Sequence, residues 1–127
     1  MDSQVEIDVL HPPAGRGDAE DNANSIVLRV TYAGRSLLLT GDLEGPGLDA
    51  LLQSPRTPVD VLLAPHHGAS AANTSELAAW CDSQVVVAST GDRDRAAALS
   101  SIYGADCRVF STANAGAIRV QITPAGE

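Results

Sequence analysis

Two segments of the chain end in side chains that could bind a metal ion, and each follows an apolar run. Asp42 ends the segment Leu37-Leu-Leu-Thr-Gly-Asp42, and His66 and His67 end the segment Val61-Leu-Leu-Ala-Pro-His-His67. Carboxylate oxygens and imidazole nitrogens are ligands that zinc takes in proteins, at bond lengths of about 2.0–2.2 Å. The residue types therefore predict a divalent-metal site, for zinc or manganese, built from Asp42, His66 and His67.

These residues also have structural interpretations. A Gly-Asp pair after a strand can be a turn that caps the next helix, and one of the two adjacent histidines can serve the fold. Two neighbouring imidazoles rarely pack together in a core, so the pair favours chemistry over packing. His11 precedes Pro12-Pro13 with no chemical group beside it, so we expect it in a surface loop.

The apolar runs predict two strands that would position these side chains, with a helix between them. Leu48, Leu51 and Leu52 recur at helical spacing in the intervening segment. If the two strands pair in parallel, Asp42 and His66 emerge at the same edge of the sheet, where neighbouring strands lie about 4.8 Å apart. Carboxyl ends of strands are also where open α/β sheets bind ligands.

The remaining patterns predict one α/β domain with a mixed sheet and helices on one face. The segment 14–23 is polar and rich in glycine, so we expect an exposed loop there. The predicted strands are 5–9, 25–32, 36–40, 59–64, 85–88, 107–111 and 117–122, the last two joined by a turn at 114–116. Helices are predicted at 48–52, from the cap at 73–76 through Trp80, and at 95–103.

Composition excludes several classes of protein. The 127 residues suffice for a single domain, and 44% of them are hydrophobic. The net charge of −8 and the aromatic content of 3% argue against a nucleic-acid clamp and against a stacking platform for single-stranded DNA. Cys81 and Cys107 form no CxxC motif, so core packing is expected. No apolar run reaches the roughly 20 residues that span a bilayer, so we expect the chain as given to be soluble, and cytoplasmic if it stands alone.

Four segments, in this order and spacing, resemble the metallo-β-lactamase-like domain at the C-terminus of ComEC-type competence proteins. The resemblance runs from about residue 5 to about residue 122, and Asp followed by His-His-Gly after two apolar strands is its most specific part. The segments are Asn22-Ala-Asn24-Ser25-Ile-Val-Leu28, Leu38-Leu-Thr-Gly-Asp42-Leu-Glu44, Asp60-Val-Leu-Leu-Ala-Pro-His-His-Gly68 and Gly116-Ala-Ile118.

The resemblance implies the C-terminal half of an αββα sandwich in a DNA-uptake protein of the inner membrane, with the domain facing outward. The family reaction it implies is metal-assisted phosphodiester hydrolysis, with Asp42 bridging two ions. Asp42 and His66 would be the catalytic positions. His66 would be a terminal ligand with His67 behind it, or the reverse. DNA would then approach through the metal site alone.

The chain departs from that family in its first half. Its only histidines are His11, His66 and His67, so the family's early His-x-Asp-x-Asp-His cluster is absent. The loop 90–95 carries only carboxylates and arginines as charged groups, where many relatives have Tyr-x-His-Pro. A catalytic zinc site uses three protein ligands plus water. We therefore expect the isolated chain to hold only part of the site and to be inactive.

Further expectations follow if the chain is one half of an αββα sandwich. One apolar sheet face should be uncovered, so we expect a homodimer or pairing with a missing N-terminal half. The alternative function is a degenerate, non-catalytic scaffold or partner-binding module, which the missing ligands and the arginines of the loop 90–95 favour. Single-stranded DNA binding is the weaker third possibility.

Overall fold

The computed structural model describes residues 4–15 and 21–127. The six strands are β1 (Glu6–His11), β2 (Val27–Tyr32), β3 (Arg35–Leu39), β4 (Val61–Leu63), β5 (Val85–Ala88) and β6 (Arg108–Ser111). The helices are α1 (Gly45–Leu52), α2 (Ser75–Cys81), α3 (Arg95–Tyr103) and α4 (Thr112–Ala115), with 3₁₀ turns at Asp21–Asn24 and Pro65–Gly68.

All six strands form one sheet in the order of the chain, β1-β2-β3-β4-β5-β6. The first three pair antiparallel, and β3 through β6 pair in parallel. Helical crossovers connect the parallel strands, as such connections require. The predicted mixed α/β sheet is therefore confirmed.

The helices pack on one face of this sheet. Leu38 pairs with Leu62, and Leu62 with Val86, so these three fully buried side chains form a row on that face. The same core includes side chains from all three longer helices, among them Leu51 of α1, Leu77 of α2 and Leu99 of α3. Burial of each such side chain stabilises the fold by roughly 1.5–3 kcal/mol.

The opposite face of the sheet is apolar and only partly covered. The alternate residues Leu37, Leu39, Leu63 and Val87 line a cavity of about 160 Å³ there. Farther along the face, β1 exposes 62% of Ile7 and 64% of Val9. Continuous apolar runs are typical of strands covered on both faces, and these runs have a partner layer on only one side within the described residues.

The predicted strand 117–122 is wrong. After β6 the chain forms α4, capped by the Ser111 side chain, which accepts a hydrogen bond from the Asn114 backbone. This turn, at the predicted 114–116 connection, takes the chain out of the plane of the sheet. Ile118 and Val120 then lie over the apolar face without a strand ladder. Alternation of side chains correctly indicated an extended segment with one apolar side, but a strand also needs a neighbour in the plane of the sheet.

The predicted positions of His11 and of the segment 14–23 are also wrong in part. His11 is only 5% exposed, and its Nε2 donates a hydrogen bond to the Ala23 carbonyl at 2.7 Å. Ala23 is 1% exposed within the turn Asp21–Asn24. A β-bulge between Val9 and His11 shifts the register, which places His11 on the helix side. Residues 16–20 of the predicted loop lie outside the described residues.

Gly47 permits the contact between this turn and α1. A Cβ atom at Gly47 would lie 2.1 Å from the Ala23 carbonyl oxygen, a distance that no side chain tolerates. The turn that carries Asn22 therefore lies against the start of α1, just after Glu44.

The two cysteines are buried, as predicted. Desolvation raises the pKa of the Cys81 thiol to about 11, which keeps it protonated and unreactive. None of the helices in the described part of the chain combines the length and apolarity that a bilayer crossing requires.

Candidate functional site

The ends of β3 and β4 are tied together directly below the candidate residues. The His66 backbone N–H donates to the Gly41 carbonyl at 2.9 Å, and the buried Thr40 hydroxyl donates to the Leu63 carbonyl at 2.6 Å. Because the two strands are parallel, Asp42 and the histidine pair emerge at one edge of the sheet.

Both histidines have an unusual backbone conformation. His66 has φ 48° and His67 has φ 57°, in the left-handed region that disfavours every residue with a Cβ atom. Such residues cost of order 1–3 kcal/mol each and persist where the surrounding structure enforces them. Two in succession on a polar strand end mark this turn as a candidate functional segment.

Asn73 enforces the conformation of the histidine turn. Its amide nitrogen donates to the Pro65 carbonyl at 3.0 Å and to the Ala69 carbonyl at 2.8 Å, so it holds both ends of the turn. The Asn73 side-chain oxygen accepts from the Tyr103 hydroxyl at 2.7 Å. Burial raises the pKa of Tyr103, so this hydroxyl remains a donor.

Helix α3 closes the other side of the turn. The Arg95 guanidinium donates to the Gly68 carbonyl at 3.2 Å. A Cβ atom at Gly68 would lie 3.1 Å from both Arg95 Cγ and Leu99 Cδ1, and Gly68 has φ +81°. Arg95 therefore serves the fold, although the sequence offered it as a partner-binding side chain.

Asp42 and His67 face each other through two hydrogen-bond acceptors. His67 Nδ1 donates to the Ser89 carbonyl at 2.9 Å, since a carbonyl oxygen can only accept. The neutral ring then has a lone pair on Nε2, which lies 3.5 Å from Asp42 Oδ1. Two ligands of one tetrahedral metal ion, each bonded at 2.0–2.2 Å, are about 3.4 Å apart. A metal ion between them, or a proton on Nε2, would satisfy both atoms.

His66 has a different partner. Its Nδ1 lies 2.6 Å from Glu44 Oε2, and Asn22 Nδ2 donates to Glu44 Oε1 at 3.0 Å. The Asn22 hydrogen bond, followed by the His66 hydrogen bond, lowers the pKa of Glu44. Glu44 is therefore ionised at neutral pH, with one donor on each oxygen.

The donor set at this edge is incomplete as a metal centre. Within residues 4–15 and 21–127, no group of three or more His, Cys, Asp or Glu side chains could hold an ion. The Asp42 and His67 side chains are 47% and 63% exposed, so further ligands could reach them. Their chemistry and spacing fit two positions of a zinc or manganese site, and any others must come from elsewhere.

The loop that follows β5 contributes no ligand to this pair. The Thr112 hydroxyl donates to the Thr90 carbonyl and accepts from the Thr90 backbone N–H, both at 2.9 Å. Asp92 caps the Asp94 backbone N–H at 2.9 Å and lies 3.6 Å from the Arg95 guanidinium. Two of the four charged side chains of this loop, Asp92 and Arg95, thus pair with each other.

The chain resembles one curated protein over most of its length. Competence protein ComA of Neisseria gonorrhoeae is 33% identical over 89 residues, which cover 68% of this chain and 13% of that protein. The chain is related to a competence protein. It spans about an eighth of the length of that relative. No protein-family model matches the chain.

Sequence reasoning assigned no role to Glu44, Asn22 or the Ser89 carbonyl. Asn22 and Glu44 lie in the segments that resemble the competence family, but nothing in their spacing indicates that both converge on His66. The Ser89 carbonyl carries no sequence signal, because every residue has one. Which histidine faces Asp42 was open in the sequence, and the structure brings His67, with its Nε2, to that carboxylate.

Proposed function

We propose that the chain is part of a metallo-β-lactamase-like, metal-dependent phosphodiester hydrolase domain that acts in DNA uptake. The observation that carries this proposal is the pair of acceptors Asp42 Oδ1 and His67 Nε2, which face each other at 3.5 Å. The relationship to a protein named as a competence protein supplies the cellular context. The left-handed backbone of both histidines supports a functional use of this edge.

The apolar sheet face supports an αββα sandwich. In that architecture a second sheet covers the face that carries Leu37, Leu63 and Val87, and continues over Ile7 and Val9. The covering layer would be an N-terminal half of the domain or a second copy of this chain. The same layer would bring the additional ligands that a hydrolytic site requires.

The residues of this chain have defined tasks in the proposed reaction. Asp42 and His67 would hold a divalent ion, zinc or manganese. When bound, such an ion supplies Lewis acidity and lowers the pKa of a coordinated water. The Ser89 carbonyl keeps His67 in the tautomer whose Nε2 can bind, which is the usual task of such an outer partner. Because this chain has a net charge of −8, DNA would meet favourable charge only near the cation.

Metal retention tests this proposal. After dialysis, we expect the chain to retain zinc or manganese, and we expect Asp42→Ala and His67→Ala to lose it. Asp49→Ala removes an exposed carboxylate of α1 and serves as the matched control, with retention unchanged. Equal retention by all four proteins would remove the metal role.

A non-catalytic module is the second candidate function. The incomplete donor set within the described residues favours it, since two ligands do not make a hydrolytic centre. Turnover of bis(p-nitrophenyl) phosphate with added Mn²⁺ separates the two functions. Hydrolysis by this chain that disappears in Asp42→Ala would contradict the non-catalytic module. Absence of turnover even with the covering layer that supplies further ligands would support it.

A further inference from the structure

The two adjacent histidines have partners of different chemistry. His67 Nδ1 donates to a neutral backbone carbonyl, whereas His66 Nδ1 meets a carboxylate oxygen at 2.6 Å. Hydrogen bonds to ionised acceptors are shorter and roughly twice as strong as neutral ones. We propose that Glu44 is a positioning residue that holds His66 in its Nδ1–H tautomer, so that His66 Nε2 accepts the proton of water in the hydrolysis. The proton-acceptor part of this inference rests on the proposed function.

Asn22 determines how Glu44 can act. Its side-chain amide donates to Glu44 Oε1 at 3.0 Å, which leaves Oε2 for His66. The three residues come from the turn Asp21–Asn24, the start of α1 and the histidine turn, so the contact depends on the tertiary fold. Because both carboxylate oxygens accept a hydrogen bond, the orientation of the carboxylate is fixed from two sides.

His66 is separate from the Asp42 and His67 pair but close to it. The ring centroids of His66 and His67 lie 6.1 Å apart, with 57° between the ring planes. In this proposal His67 holds the cation, and the neighbouring His66 takes the proton.

The proposed step conserves atoms and electrons. A proton passes from the water oxygen to His66 Nε2, and the electrons of that O–H bond stay on oxygen. This oxygen forms the new bond to phosphorus while the bond from phosphorus to the leaving alcohol oxygen breaks. The leaving oxygen then takes a proton from solvent. A positioned base of this kind contributes about 10²–10⁴-fold to a rate.

The substitution Glu44→Gln gives the sharpest test, because a side-chain amide has one acceptor and one donor end. Asn22 donates toward the Oε1 position, so the oxygen of the introduced amide should turn to Asn22 and its NH₂ group to His66. That group can only donate, which forces His66 into the Nε2–H tautomer. Long-range ¹H–¹⁵N correlation spectra of the metal-free chain, at a pH where both rings are neutral, should show this reversal.

The same spectra contain an internal control and a rescue. His67 should stay in the Nδ1–H tautomer in every variant, since its acceptor is the Ser89 carbonyl. In the double variant Asn22→Ala with Glu44→Gln, the amide is free to turn its oxygen to His66, and the Nδ1–H tautomer should return. Nδ1–H signals for His66 in Glu44→Gln, or Nε2–H signals in the wild type, would overturn the positioning role.

Activity distinguishes this inference from the proposed function. With Mn²⁺ and the covering layer that supplies the remaining ligands, Glu44→Gln should lower kcat by about 10²-fold or more while Mn²⁺ retention stays unchanged. Unchanged kcat in Glu44→Gln with active wild type would overturn the proton-acceptor role alone. Equal metal retention by the wild type, Asp42→Ala and His67→Ala would overturn the proposed function and the proton-acceptor role together, and the tautomer spectra, which are recorded without metal, would still decide the positioning role.

Discussion

The two edges of the parallel sheet use charged side chains in opposite ways. At the edge where β3 and β4 begin, Asp60 accepts from Arg35 at 2.9 Å and from the Ser36 backbone N–H at 2.8 Å. At the edge where the same strands end, two acceptors face each other at 3.5 Å across Asp42 and His67. The first arrangement satisfies its charges within the chain. The second leaves two acceptors open to solvent and to a cation, so we propose a function for the edge where the strands end and a stabilising role for the edge where they begin.

The largest effect should come from the buried residue that supports the functional edge. Asn73→Ala removes two hydrogen bonds to backbone carbonyls and leaves the Tyr103 hydroxyl without its acceptor. We expect a loss of about 3 kcal/mol in the free energy of unfolding, measured by urea denaturation. Metal retention should fall as well, because the histidine turn loses its support.

Asn114→Ala is the matched control for this substitution. The Asn114 amide makes one exposed hydrogen bond, to the Arg93 carbonyl at 3.2 Å, so we expect a change under about 0.5 kcal/mol. Equal losses in the two variants would show that the bonds of Asn73 have no special weight.

At the opposite edge, Asp60→Ala should cost about 1–2 kcal/mol. The Ser36 backbone N–H loses its acceptor, and Ser36 is only 6% exposed, so the donor is poorly compensated by water. Arg35→Ala should cost less than about 1 kcal/mol, because that side chain is 46% exposed. Neither variant should change metal retention, and loss of bound metal in Asp60→Ala would break the contrast between the edges.

The backbone of His67 allows a test that separates metal binding from stability. Glycine adopts a φ of 57° without strain, so His67→Gly should be about 1 kcal/mol more stable than His67→Ala. Both variants should lose the metal. The reverse order should hold at Ser36, in the extended strand β3, where glycine is the less stable choice. Thermal unfolding of the four variants checks both orders.

The smallest expected effect is a dependence on acid. The Asn22 and His66 hydrogen bonds lower the pKa of Glu44 in the folded chain. Its contribution to stability is therefore complete above the pKa of the unfolded state, 4.5, and is lost as the pH falls through the lower folded value. In Glu44→Gln this acid-side loss should be reduced. Identical pH profiles of wild type and variant would show that the carboxylate is not held as described.

Local sequence patterns predicted the helices and strands that depend only on consecutive residues. The helix 95–103 and the strand 85–88 have the predicted bounds, because helical spacing and β-branched runs are properties of consecutive residues. The two-residue turn Ala33-Gly34 between the predicted strands 25–32 and 36–40 also forms, because its glycine adopts the positive φ that such a turn requires. The prediction of a strand at 117–122 was wrong because strand pairing depends on a neighbouring strand in space. The prediction of a surface loop at His11 was wrong, because no local pattern indicates the bulge that brings this residue to the helix side of the sheet.

The sequence by itself determined that the chain is an α/β layer structure and that a carboxylate and two imidazoles end neighbouring strands. Only the tertiary structure decided which imidazole faces Asp42, and that Asn22 and Glu44 converge on the other. The physical reason is the separation along the chain over which each effect acts. Periodicity and turn propensity act between residues a few positions apart, whereas a tautomer depends on which acceptor the fold brings within about 3 Å of a ring nitrogen.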